Sequence, residues 1–291
     1  MATFHRSPGA AIRGDRANLA AHREAFARFR PDVVLDTIAY TEKDAASLVA
    51  VFRGMTGRTV VLSSQDVYAS YGRLLGLEAG PPDRMPAAED SPRRASRFPY
   101  RGKARGVADV AYDYEKVLVE RAAWSDPALP TTILRLPCVY GAGDGHHRVG
   151  EVLAQALAGP PFLLDRAKAA WRWTRSAVDN VGEAIALAVV DPRAAGRVYN
   201  VGEEPAPMEE EWIRAILRAA GIQGEVHAVA RAELPAGVAE PFDFSHDLVA
   251  DTSRIRRELG YREVVGRDSA LAEAVAWERA HPATAGARSR E

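Results

Sequence analysis

The chain has 291 residues, a formal net charge of −1 and a pI near 6.7, which removes the global basic field that nucleic acid or an anionic membrane would call for. Hydrophobic residues make up 47% and charged residues 26%, a globular balance that excludes disorder as the dominant state. A single cysteine, Cys138, excludes an internal disulfide framework and a Cys-based zinc site, and fits a reducing, cytoplasmic compartment.

In chain order, the pattern alternates strand and helix. Residues 2–6 read as a short strand, followed by a turn at Gly14 and Asp15 and a helix over about 18–29. The apolar runs VVLDTIAY (33–40) and RTVVLSS (58–64) flank a helical stretch over 43–53. Near-continuous apolar runs separated by helices indicate βαβ units and a mostly parallel sheet. Residues 70–108 carry five prolines and break this rhythm, which reads as a long loop over the sheet edge. A helix over 111–123 follows, then the strand 131–137, the turn GAGDG (141–145) and a helix from 149. Later come a helix over 180–190, a strand over 197–202, a helix over 208–220, a late strand over 225–230 and two closing helices. No apolar run approaches the roughly 18–20 residues of a membrane span, and the N-terminus lacks the apolar core of a signal peptide.

Three segments carry chemistry. Tyr112 and Lys116 are spaced i, i+4 on the predicted helix 111–123, which sets both on one face. An ammonium beside a phenol favours phenolate and makes the tyrosine a usable acid or base. Only four lysines occur in the chain, so this pairing is informative. Ser63 and Ser64 end a predicted parallel strand, at the side where α/β folds bind ligands. The third segment, Leu134 to Asp144, passes from a strand through Pro137 into a glycine-rich turn that permits close backbone approach.

Taken together, Ser-Ser-x-x-Val-Tyr (63–68), Tyr-x-x-x-Lys (112–116) and Leu-Arg-x-Pro-x-Val-Tyr-Gly-x-Gly-Asp (134–144) resemble the extended short-chain dehydrogenase/reductase family, the NAD-dependent epimerase/dehydratase group. Ala-Val-Asp-Asn-Val (177–181), Val-Tyr-Asn-Val-Gly (198–202) and the segment 251–261 extend the likeness over nearly the whole chain. The resemblance implies an α/β fold: a Rossmann-like, doubly wound, mostly parallel sheet with a small C-terminal α/β substrate lobe. It places a dinucleotide-binding core in 1–145, the core return (about 171–202) and substrate lobe in 146–282, and a frayed tail in 283–291. It implies an NAD(P)-dependent epimerase, dehydratase or reductase acting on a hydroxyl or carbonyl of a small, nucleotide-sugar-like substrate. Tyr112 is then the acid/base, Lys116 its pKa partner and a ribose contact, and Ser64 the substrate-orienting hydroxyl. Asp66 is a candidate assistant in proton transfer, against a plain turn cap. The cofactor is NAD or NADP. Pro137 lines the nicotinamide pocket, Asp15 meets adenine, and Arg6 sits where a 2′-phosphate would favour NADP. A homodimer through the Tyr112/Lys116 helix is implied, with Val117, Leu118 and Ala122 as its apolar positions.

The sequence departs from the family at its start. The family's Gly-x-x-Gly-x-x-Gly turn, which holds the pyrophosphate, has no counterpart here. Residues 3–6 look like the end of the family's second strand, so one βα unit, with the first strand and glycine loop, is missing. Three explanations stand: a start placed downstream of the natural one, a fragment or pseudoenzyme, or a fold whose strands close the gap. The first is favoured, because the later motifs are complete, and impaired dinucleotide binding is expected of this chain.

The remaining candidates are weaker. His146, Arg172 and Arg175 are possible substrate contacts, the arginines lying in an aromatic-basic cluster with Trp171 and Trp173. His146 and His147 lack carboxylates at ligand spacing, so no metal site is assigned. Residues 209–211, three glutamates, read as a solvated first helical turn. The competing class is a non-catalytic binding or regulatory protein on the same scaffold, including an RNA-associated type. The missing glycine loop favours it and the Ser/Tyr/Lys set opposes it.

Overall fold

The structure is a computed structural model that describes residues 3–5, 11–159 and 161–283. Strands β1 (Phe4–His5) and β2 (Ile12–Arg13) pair in parallel and form a ribbon separate from the main sheet. A 3₁₀ segment over Arg16–His22 leads into helix α1 (Arg23–Phe29). Strand β3 (Val33–Asp36), helix α2 (Glu42–Phe52) and strand β4 (Arg58–Ser64) form the first βαβ unit of the main sheet. Thr41 opens α2 through a capping box: its hydroxyl accepts from the Asp44 amide, and the Asp44 carboxylate accepts from the Thr41 amide.

The long loop is shorter than the sequence indicates, because helix α3 (Ala69–Leu74) takes its first residues and a 3₁₀ turn covers Arg101–Lys103. The helix expected over 111–123 is also different. It is split into α4 (Val110–Asp113) and α5 (Lys116–Ala123), with Tyr114 and Glu115 outside both. Strand β5 (Thr131–Leu136) follows, then β6 (Cys138–Tyr140). Gly141 comes next at φ +138, where an added Cβ would lie 2.9 Å from Val178 Cγ1, so this turn needs glycine.

The C-terminal half contains α6 (Arg148–Leu157), β7 (Phe162–Asp165), α7 (Arg166–Ala170), β8 (Arg175–Ala177), α8 (Val178–Val190) and β9 (Val198–Asn200). It ends with α9 (Glu209–Ala220), β10 (Val226–Val229), α10 (Ser253–Leu259) and α11 (Arg267–Ala280). The main sheet is parallel in the order β3-β4-β5-β9. Two small parallel pairs, β6 with β8 and β7 with β10, build the second lobe with α6, α9 and α11.

Burial follows the apolar pattern. β4 and β5 are covered on both faces, as parallel central strands require. One face packs on α2 and α5 through Leu48, Phe52, Val61 and Val119, a cluster that Phe4 and Ile12 of the ribbon also join. The other packs on α8 and α10 through Leu134, Val181, Tyr199 and Ile255. β3 is an edge of the main sheet among the described residues, with Leu35 38% exposed. Within this frame Val117 and Ala122 are buried inside the chain, so they are not free for a dimer face.

Candidate active site

β4 delivers two serines to opposite faces of the sheet. Ser63 faces inward and donates to Glu120 Oε1 at 2.7 Å. Ser64 is half-buried and caps the 3₁₀ turn Gln65–Val67, accepting from the Asp66 amide at 3.1 Å. That turn buries Asp66 at 5% exposure. Asp66 Oδ2 accepts the Tyr114 hydroxyl at 2.8 Å, and the Ser64 hydroxyl acts on the same phenol, pulling its pKa down. Asp66 Oδ1 is buried with no hydrogen-bond partner among the described residues.

Burial pushes the Asp66 carboxyl above its ordinary range, against the opposing pull of Arg94, the Tyr114 hydrogen bond and Lys116. Burial also holds Tyr114 well above an ordinary phenol, and the Asp66 charge adds to the effect.

Lys116 is the first residue of α5 and is almost fully buried. Its ammonium donates to the carbonyls of Ala39 at 2.8 Å and Leu62 at 2.9 Å, joining the carboxyl ends of β3 and β4. It lies 5.0 Å from the Tyr40 ring and 5.7 Å from the Tyr114 ring. Burial lowers its pKa, with Asp66 the largest opposing charge. Tyr114 packs tilted on Tyr40 and edge-on against Tyr100, and the Tyr71 and Tyr100 hydroxyls bond at 2.7 Å.

The helix break places these groups. Glu115 is fully buried and takes both terminal nitrogens of Arg94 at 2.8 Å. It also accepts from the Phe98 amide and from the Val117 amide, the latter capping α5. Its own amide donates to Tyr40 O at 2.9 Å. The proline-rich loop thus clamps the chain at 115, and Lys116 begins a new helix instead of continuing α4.

Tyr112 and Lys116 consequently do not share one helical face, as the i, i+4 spacing had indicated. Tyr112 lies on α4 under the Arg101 guanidinium, 4.6 Å from its ring centroid. Its hydroxyl makes no hydrogen bond among the described residues to Ser64, Asp66 or Lys116. The structure brings together Ser64, Asp66 and Lys116, and it adds Tyr114, Arg94, Glu115, Tyr40 and Tyr100, which motif spacing did not single out.

A buried polar spine supports the site from below. Arg135 on β5 donates to both Glu120 oxygens, to the Tyr68 hydroxyl and to Glu89 O. Tyr68 in turn donates to Asn200 Oδ1 at 2.6 Å. Closed buried networks of this kind fix side-chain positions.

The other candidates fall as follows. Arg6 lies outside the described residues. Asp15 caps the 3₁₀ segment, accepting from the Ala17 amide at 2.9 Å. Pro137 is half-buried between β5 and β6. His146 is exposed in the turn after β6. Arg172 is exposed and lines a cavity of about 620 Å³ with Met85, Glu204, Asp247 and Ala250. Arg175 is not available to a ligand: it is buried, ion-paired with Glu209 and held against Trp173 and Trp212. Glu209 is accordingly a core group, which corrects the solvated first turn expected there. Among the described residues no cluster of three His, Cys, Asp or Glu is placed to hold a metal ion, and no helix is long and apolar enough to cross a membrane.

A dinucleotide fits this surface in part. Ser64, Tyr114 and Lys116 suit its nicotinamide end. Arg16, ion-paired with Asp36 at the end of β3, has its Nη1 buried without a hydrogen-bond partner among the described residues. Among the described residues no glycine-rich turn leads from a strand into a helix to hold the pyrophosphate.

No family model matches the sequence, and no curated protein matches it. Solved structures do. A short-chain dehydrogenase/reductase superfamily protein from Agrobacterium tumefaciens with bound NAD is 19% identical, with a TM-score of 0.65 over 95% of this chain and 89% of that one. The Bordetella bronchiseptica enzyme WbmG, in complex with NAD and UDP, is 16% identical, with a TM-score of 0.67 over 94% and 82%. UDP-glucose 4-epimerase from Bifidobacterium longum, in complex with NAD+ and UDP, is 17% identical, with a TM-score of 0.64 over 93% and 83%. The Rossmann-like fold expected from the sequence motifs is therefore the fold of this chain, shared with short-chain dehydrogenase/reductase proteins.

Proposed function

We propose that the chain is an NAD(P)-dependent epimerase, dehydratase or reductase acting on a hydroxyl or carbonyl of a nucleotide-sugar-like substrate. The observation that carries this reading is the convergence of Ser64, a tyrosine phenol, Asp66 and Lys116 at the carboxyl ends of β3 and β4, where parallel α/β sheets bind ligands. The structural neighbours with bound NAD and UDP support the cofactor and substrate class.

In this reading Ser64 orients the reacting oxygen by hydrogen bonding. A phenol beside it takes or returns the hydroxyl proton. Lys116 holds positive charge behind the phenol and ties the two strand ends together. A bound nicotinamide supplies the hydride acceptor. Pro137, Asp15 and Arg6 remain the proposed cofactor contacts, and His146 and Arg172 the proposed substrate contacts. A homodimer and a cytoplasmic location belong to the same reading.

A second reading, a non-catalytic binding or regulatory protein, is favoured by the absence among the described residues of a phosphate-holding glycine turn. One experiment separates the two. The purified chain is incubated with about 5 mM NAD or NADP, well above ordinary dinucleotide affinities, and a panel of UDP- and dTDP-sugars. Products are read by NMR. Conversion of a sugar nucleotide, lost in Lys116→Met, is expected; ligand binding without conversion supports the second reading.

A further inference from the structure

We infer that Tyr114 is the phenol that exchanges a proton with the substrate, and that Asp66 is the group through which that phenol is recharged. The inference rests on the enzyme reading above. Its grounds are geometric. The Tyr114 hydroxyl is bonded to Asp66 at 2.8 Å, and its ring lies 5.7 Å from the Lys116 ammonium. Tyr112, two residues earlier, is held under Arg101 on α4. The buried Arg94–Glu115 pair fixes the break that selects one tyrosine over the other.

Asp66 Oδ1 adds an independent observation. It is buried and has no hydrogen-bond partner among the described residues, beside an Oδ2 that holds the phenol proton. An unpartnered carboxyl oxygen in that position is costly to keep ionised. Taking up the phenol proton during the step relieves this cost, which makes the ionised Asp66 a proton-seeking partner. The charged and titratable groups facing Asp66 are Arg94, Lys116, Glu115 and Tyr114; those facing Tyr114 are Asp66 and Tyr71, with Tyr100 packed on its ring. Asp66 is a positioning and relay group, since Tyr114 stands between it and the substrate.

The step balances as follows. The substrate O–H bond breaks and its proton passes to the Tyr114 oxygen. Asp66 enters the step as a carboxylate, and the proton that Tyr114 carried moves along the 2.8 Å hydrogen bond to its Oδ2. A nicotinamide, when bound, would take the electron pair of the adjacent C–H bond as hydride, which balances oxidation of the alcohol carbon to a carbonyl. Tyr114 ends as a neutral phenol and Asp66 as a neutral acid. Reduction of a carbonyl runs the same path backwards.

The test uses the full chain with three variants, Tyr112→Phe, Tyr114→Phe and Asp66→Asn. Turnover of the sugar nucleotide found above is expected to fall in kcat by about 100-fold or more in Tyr114→Phe, the usual scale for loss of an acid/base group, with KM little changed. Tyr112→Phe is expected to stay within a few-fold of wild type. A pH titration of phenolate ultraviolet absorbance needs no substrate and reads the pair directly. Asp66→Asn is expected to bring one phenol down in pH, and that shift is expected to vanish in Asp66→Asn/Tyr114→Phe. Loss of turnover in Tyr112→Phe with activity kept in Tyr114→Phe overturns the inference and leaves the enzyme reading standing. An unchanged phenol titration in Asp66→Asn also overturns it. Absence of turnover in the wild type overturns the enzyme reading, and the inference falls with it.

Discussion

Arg94 and Glu115 meet through two parallel hydrogen bonds of 2.8 Å, with both side chains fully buried. One partner comes from the proline-rich loop and the other from the junction of α4 and α5. Their pairing decides where α5 begins and which tyrosine reaches Asp66.

Removing one partner leaves a buried charge without its counter-charge. Arg94→Ala is therefore expected to destabilise the fold by about 3–5 kcal/mol, measured by chemical denaturation. Arg94→Met combined with Glu115→Leu is expected to recover part of that loss. It is not expected to recover turnover, because the carboxylate that caps α5 and holds Phe98 is gone. Wild-type stability in Arg94→Ala contradicts the clamp.

Asp66 gives stability a pH signature. Its folded-state pKa lies above the unfolded value, so the folded state binds the proton more tightly. The stabilisation from this group is complete below the ordinary carboxylate range and is lost as pH rises through the raised folded value. Asp66→Asn cannot ionise and escapes this loss. Its melting temperature relative to wild type is expected to rise from pH 4 to pH 8, by a few degrees for each kcal/mol involved. A difference that does not change with pH contradicts a buried, proton-seeking Asp66.

Lys116 and Ser64 are expected to separate in stability and activity. Lys116→Met leaves the Ala39 and Leu62 carbonyls without their donor, a cost of about 1–3 kcal/mol per group left unsatisfied. Ser64→Ala loses the hydroxyl that caps the Gln65–Val67 turn and is expected to cost about 1 kcal/mol, less than Lys116→Met. Its turnover is expected to fall by about 10²–10³-fold, the scale for one lost hydrogen-bond donor to a reacting oxygen. Denaturation midpoints and kcat, measured on both variants, check this contrast.

The dinucleotide is expected to bind loosely. Asp15 and Arg16 lead into a 3₁₀ segment, and no glycine turn opens a helix after a described strand. Calorimetry is expected to give an NAD dissociation constant weaker than about 100 μM. Micromolar affinity contradicts the partial fit.

Much of the fold was legible in the sequence. The runs 58–64 and 131–136 are apolar and β-branched, and both are central parallel strands. Ser64 was singled out at a strand end, and Lys116 by its i, i+4 spacing from Tyr112 on one unbroken helix, which the structure does not form. Tyr114 was not, because helical periodicity carries 111–123 as one helix. The break arises from Glu115 pairing with Arg94, 21 residues earlier in a loop, and local propensity holds no trace of that contact. Arg175 misled in the same way: its aromatic-basic neighbourhood reads as a ligand surface, whereas Glu209, 34 residues later, buries it. Long-range ion pairs settle both positions.

The claim that Ser64, Tyr114, Asp66 and Lys116 form the ligand site is tested most directly by NMR of fluorotyrosine-labelled chain, with Tyr→Phe variants assigning the nine tyrosine signals. Addition of NAD with a UDP-sugar is expected to move the Tyr40 and Tyr114 signals and leave Tyr199 and Tyr261 in place. Saturable shifts confined to other tyrosines, with Tyr40 and Tyr114 unmoved, would place the ligand elsewhere and contradict the assignment.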